Sequence, residues 1–152
     1  MNTFLYFLQS IPEGMGIIAL SLALGRVPLR WGRILAGGMV IALVTFLIRT
    51  LPVTFGLHLP VTLFLIFIAI VRLTNLTPSK TIIVLFTSVV TLALLEYLIT
   101  STTLAWTHMT ADDAITDLPL WTFLGMIQAI LLNVIASVVP RFLKPIEGVW
   151  RQ

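Results

Sequence analysis

Five stretches of the chain are almost wholly apolar, and short polar segments separate them. They cover about residues 4–24, 34–51, 57–73, 81–99 and 120–139, the second extending back to Trp31 if its flank is included. A helix needs about 20 residues to cross a hydrocarbon core of about 30 Å. The first, fourth and fifth stretches meet that length. The second and third have strictly apolar cores of about 15 residues and must recruit their flanks to span. A re-entrant hairpin is the alternative for that pair, and Pro52 and Gly56 between them suit a tight turn in either case. The pattern therefore predicts an all-α, polytopic helical membrane protein. It forms a single transmembrane domain over 1–152, with five transmembrane helices and one long connection at 100–119. Within that loop, Thr110-Ala111-Asp112-Asp113 has capping-box spacing, which predicts a short surface helix from Ala111 to Asp117.

Composition narrows the class. The chain is 59% hydrophobic and 10% charged, with a mean hydropathy of +1.09. A soluble domain carries about 25% charged residues. The formal charge of +3 would suit nucleic acid. The basic residues fall in short loops, however, so they are read as orienting the chain in a bilayer, and no nucleic acid is expected. Arg26, Arg30 and Arg33 follow the first segment. Arg72 and Lys80 separate the third from the fourth, and Arg141, Lys144 and Arg151 follow the fifth. If these regions are cytoplasmic, eight of the nine basic residues obey the positive-inside rule, and Arg49 is the exception. The loop at 100–119 carries Asp112, Asp113 and Asp117 without Lys or Arg. The expectation is a multi-pass protein of the cell membrane, N-terminus outside and C-terminus inside. The first segment is not expected to be a cleaved signal peptide: its leading residues lack Lys and Arg, and Glu13 interrupts the apolar run. Trp106 and Trp121 suit the outer interfacial belt, and Trp31 and Trp150 the inner one.

One stretch carries an unusual chemistry, Ser10-Ile11-Pro12-Glu13-Gly14-Met15-Gly16. A carboxylate at the centre of a span costs about 2.5–3.5 kcal/mol on insertion scales, so it marks a partnered or functional position. Two geometries are open. A straight segment puts Glu13 at mid-depth, facing Gln128 and Asn133 of the fifth segment. A segment broken near Ser10 and Pro12 raises Glu13 towards Arg49. In either case Arg49, His58, Glu96 and Gln9 are placed to form an outward polar cluster, the alternative being that Arg49 and Glu96 snorkel to the outer headgroups. The candidate ligand-binding residues are thus Glu13, Arg49, His58, Glu96, Gln128 and Asn133. Ser88, Leu92, Glu96 and Thr100 share one face of the fourth segment, whose hydroxyls are expected to bond their own helix. Small residues mark the packing seams: Gly14, Gly16, Ala19 and Ala23, Ser21 with Gly25, Gly38 with Ala42, and Gly125, Ala129 and Ser137.

The chain has no cysteine, no HExxH and no GxSxG, and it lacks a P-loop. No catalytic residue, metal site or cofactor is therefore expected. The acidic triplet lacks the ligand density of a calcium loop and reads as a solvated face.

Ile11-Pro12-Glu13-Gly14, the basic turn after the first segment, and the run Ile48-Arg49-Thr50-Leu51-Pro52-Val53-Thr54-Phe55-Gly56-Leu57-His58 together resemble a family pattern. They resemble the multispan membrane sensor regions of Gram-positive histidine kinases of the accessory-gene-regulator and sporulation type. Small stand-alone membrane proteins of spore-forming bacteria are also similar. The resemblance covers about residues 3–140. It implies reception of an extracellular signal, often a peptide, with Glu13, Arg49 and His58 shaping the pocket. The 152 residues hold no phosphoacceptor helix or ATP-binding domain. What it implies is a receptor module acting through a partner protein, with a histidine kinase suspected. A small transporter or substrate-binding transport subunit is the alternative that an intramembrane Glu13 and a broken helix favour. A structural assembly protein that self-associates is the alternative that the small-residue seams favour.

Overall fold

The computed structural model describes residues 3–50, 58–108, 110 and 116–151, the side chain of His58 excepted. The regular elements among them are helices: α1 Thr3–Leu24, α2 Trp31–Thr50, α3 His58–Leu73, α4 Pro78–Thr107 and α5 Leu118–Phe142. Four are long and apolar enough to cross a membrane, and α3 is shorter, at 16 residues. A helical membrane protein follows from length and composition. The turn around Pro52 and Gly56 and the surface helix with Asp112 and Asp113 lie outside the described residues.

Neighbouring helices alternate in direction. Tyr6 meets Ala42, and Gly14 meets Gly38, so α2 runs against α1. The Thr45 and Thr62 hydroxyls pair at 3.0 Å, and Gly37 faces the region of Ala69 and Ile70, so α3 runs against α2. Ser21 bonds Ser88 at 3.0 Å while Glu13 and Glu96 share a cavity, so α4 also opposes α1. Gln9 lies on Gly125 and Gly16 on Leu132, which makes α5 parallel to α1. Eight basic residues, in the turns, the tail and the helix ends beside them, consequently gather at one end of the bundle. Arg49 sits at the other, in the last turn of α2.

α1 is the central helix. Its Ile17, Ala19, Leu20 and Leu22 are buried with Ile34, Ile66, Leu85, Leu132 and Ala136. The outer surface is apolar instead: Val40, Phe64, Ile83, Phe86 and Phe123 are all more than half exposed. Lipid tails are as apolar as these side chains, so close packing rather than water exclusion holds such helices together. The small residues supply that closeness. A Cβ placed on Gly14 lies 3.5 Å from the Gly38 Cα, and Ala19, Ala23, Ala42 and Ala129 are at most 1% exposed. Ser137 departs from the predicted seam. It is exposed, and its hydroxyl donates to the Asn133 carbonyl of its own helix at 2.8 Å.

Three further expectations are corrected. First, α1 is unbroken across Pro12. The ring removes one N–H from the helix, and packing from neighbouring helices keeps such prolines inside membrane helices. Here Asn133 Nδ2 donates to the Pro12 carbonyl at 2.8 Å. Secondly, the connection expected at 100–119 is shorter, because α4 continues to Thr107. Its polar end is satisfied from within: Ser101, Thr102, Thr103 and Thr107 each donate to a carbonyl four residues back, at 2.6–2.8 Å. The helix stops at His108, whose φ of 54° is left-handed. Asp117 caps α5 by accepting from the Leu120 N–H at 3.2 Å. Thirdly, Trp150 is no belt residue. It is 8% exposed, and its Nε1 donates to the Pro28 carbonyl at 2.7 Å.

The tail that carries Trp150 folds back across the basic end. Ile146 N–H donates to Arg26 O, Asn75 N–H to Val149 O and Arg151 N–H to Leu73 O, at 2.7–3.0 Å. These bonds tie residues 143–151 to the turns after α1 and α3.

Candidate functional site

At the end opposite the basic turns, the side chains of α1, α2, α4 and α5 leave a cavity of about 270 Å³. Its lining is polar: Gln9 and Glu13 of α1, Arg49 of α2, Glu96 and Thr100 of α4, and Gln128 of α5. Trp121, Leu124 and Gly125 complete the wall. A second cavity of about 120 Å³ lies between α1, α2, α3 and α4, lined by Tyr6, Ser10, Thr45 and Thr62 among others. Glu13 and Arg49 line both cavities, so this acid and base stand where the two spaces meet.

Helical spacing explains the α1 contribution. Tyr6, Gln9 and Glu13 stand at i, i+3 and i+7 and share one face. Gly125 makes room for that face, because a Cβ there would overlap the Gln9 side chain. On α4, Glu96 and Thr100 are one turn apart, below Ser88 on the same face. Ser88 is fully buried, donates to its own Val84 carbonyl at 2.8 Å and receives the Ser21 hydroxyl. The pair fixes the rotation of α4 against α1, and with it the direction of Glu96.

Glu13 is half-buried and interacts electrostatically with both Glu96 and Arg49. The Arg49 guanidinium lies 5.4 Å from the Tyr6 ring centroid, a cation–π distance. The Tyr6 hydroxyl in turn reaches the Ala42 carbonyl at 3.4 Å. The site holds two carboxyl groups and one guanidinium beside two amides that donate and accept. That donor set suits an amine or another small cation. The larger cavity is slightly below the about 300–1,000 Å³ of typical small-molecule sites, so it admits a small solute or a single side chain.

Of the residues singled out from sequence, Glu13, Arg49, Glu96 and Gln128 come together, with Gln9. The two geometries posed for Glu13 prove not to be exclusive: α1 is continuous, yet Glu13 shares its cavity with both Arg49 and Gln128. Asn133 is elsewhere, since its Nδ2 donates to the Pro12 and Ala129 carbonyls at 2.8 Å. His58 begins α3, and its side chain lies outside the described residues. Tyr6 and the Thr45–Thr62 pair were not anticipated. Tyr6 was legible through its shared face with Gln9 and Glu13, whereas Thr45–Thr62 depends on the relative height of two helices. Set against protein-family models, curated proteins and solved structures, the chain matches none.

Proposed function

We propose that the chain is a non-enzymatic membrane module that senses a small amine-bearing ligand in the Glu13–Arg49–Glu96 cavity. Occupancy is passed to a partner protein, a histidine kinase being the partner that the sequence resemblance implies. The observation that carries this reading is the cavity itself. Four helices contribute charged or amide groups to one space, and such groups are costly within a membrane unless they serve a purpose. A ligand there touches α1, α2, α4 and α5 together, so its binding biases their relative positions.

We further read the chain as five spans in the cell membrane, N-terminus outside and C-terminus inside. The alternating helix directions support this, as do the eight basic residues at one end. The sixteen residues of α3 extend about 24 Å, a mismatch that local bilayer thinning absorbs at a fraction of a kcal/mol per Å. In this orientation the cavity opens to the outside. The transport alternative keeps the intramembrane Glu13 as its motive but not a discontinuous first helix, since α1 is continuous.

The test uses the purified full chain in mild detergent, screened by thermal shift against small amines, amino acids and short peptides. A ligand present at 100 times its Kd stabilises by about 2.7 kcal/mol. The expected result is a binder whose shift disappears in Glu13→Gln and in Arg49→Gln. The same radiolabelled ligand should not accumulate in proteoliposomes. Accumulation would support the transport reading, and a shift indifferent to both substitutions would remove the site.

A further inference from the structure

At the basic end, a cavity of about 660 Å³ opens between the turn before α2 and the returning tail. Arg30, Arg33 and Arg151 line it with Pro28, Trp150 and Glu147. Three guanidiniums face one carboxylate, which leaves a surplus of two positive charges around one space. The arginines are held in place by packing. The Arg30 and Arg33 guanidiniums lie 5.6 and 5.0 Å from the Trp150 ring centroid. Trp150 is itself fixed by its bond to Pro28 O. The third arginine is pinned through its backbone N–H to Leu73 O and through Nε to Asn75 Oδ1 at 3.1 Å. A contact with an aromatic ring uses none of a guanidinium's N–H donors, which stay available for an acceptor.

We infer that this cavity binds a phosphate-bearing anion, either the headgroup of an anionic lipid or a soluble phosphate. The chemistry follows from the donors. Guanidiniums present paired N–H groups that match phosphate oxygens bidentately, and mutual repulsion among three of them is relieved by an anion between them. The aromatic platform pre-orders two of the three, so little side-chain freedom is lost on binding. The site is separate from the Glu13 cavity and lies at the other end of the bundle. A phosphate bound here joins the turn before α2 to the tail, and so strengthens the closure that Trp150 makes.

The full chain, purified in detergent, is mixed with phosphatidylglycerol or phosphatidylcholine at equal mole fraction, and retained lipid is counted by native mass spectrometry. Phosphatidylglycerol should be retained over phosphatidylcholine. Retention should fall about fivefold for each arginine removed, the counterpart of about 1 kcal/mol per basic residue. Arg30→Gln with Arg33→Gln should therefore bring it close to the phosphatidylcholine level. Arg30→Lys with Arg33→Lys should keep part of it, and Arg141→Gln, at the same end but outside the cavity, should leave it unchanged. Displacement by millimolar inorganic phosphate assigns the site to a soluble phosphate, and resistance to it assigns the site to the lipid headgroup. Equal retention of the two lipids by the unmodified chain, without protection by phosphate against heat, overturns the inference, and this comparison needs no variant to fold. An equal loss in Arg141→Gln overturns it too, because the attraction would then be diffuse.

Discussion

Gly38→Ala tests the claim that α1 and α2 are held by backbone proximity. A Cβ at Gly38 meets Met15 Cγ at 2.6 Å, the Ile11 carbonyl oxygen at 3.0 Å and the Met15 nitrogen at 3.2 Å. The side-chain carbon can give way, but the two backbone atoms cannot move without α1. Overpacking of this kind costs about 1–3 kcal/mol. Against it stands the gain from replacing glycine by alanine within a helix, about 0.5–1 kcal/mol. The net expectation is a loss of up to about 2.5 kcal/mol, with a central value of about 1 kcal/mol. Gly32→Ala, in the same helix, is the matched control: a Cβ there meets nothing within 4 Å. It should be neutral or stabilising by up to about 0.5 kcal/mol, since first-turn positions gain less from propensity. Equilibrium unfolding by sodium dodecyl sulfate in mixed micelles, followed by tryptophan fluorescence, measures both. If Gly38→Ala is as stable as Gly32→Ala, α1 and α2 are not in backbone contact and the packing argument fails.

Three other expectations can be checked on the same preparation. A double-mutant cycle of Ser21→Ala and Ser88→Ala should give a coupling of about 0.6 kcal/mol for their 3.0 Å bond, measured by the same unfolding assay; zero coupling would mean the hydroxyls do not meet. Trp150→Ala removes an indole that is 8% exposed and its bond to Pro28 O. Hydrogen exchange should then accelerate at the amides of Asn75, Ile146 and Arg151, which tie the tail down, and unchanged exchange would show that the tail is held otherwise. Asn133→Leu removes two donated bonds but also Oδ1, which is buried without a partner among the described residues. The two effects oppose each other, so stability should change by less than about 1 kcal/mol; a loss above 2 kcal/mol would mean that Oδ1 is satisfied.

The class of the molecule was legible in the spacing of apolar runs, and so was the clustering of basic residues at one end. Hydropathy is a local property and survives any choice of helix packing. The same holds for Gly14, Gly38 and Gly125, which the spacing of small residues marks as packing seams. Element ends are less legible. The Thr- and Ser-rich stretch after Ile99 looked like a loop, but hydroxyls that bond back to their own helix made it the last turns of α4. Pro12 looked like a break for a similar reason: local rules charge a proline in full, while neighbouring helices hold the chain on both sides of it.

By itself, the sequence determined that the chain is helical, that it belongs in a membrane, that one end is basic, and that Glu13 is an exceptional charge. Tertiary structure alone decided the company that charge keeps. Glu13 shares its space with Arg49, Glu96, Gln9 and Gln128, while Asn133, about two turns beyond Gly125 on α5, serves the Pro12 carbonyl. It also decided that Trp150 leaves the expected interfacial belt to order Arg30 and Arg33. The physical reason is common to both. Periodicity gives the face of each helix, but which faces meet, and at what height, depends on how glycines, serines and leucines from distant segments interlock.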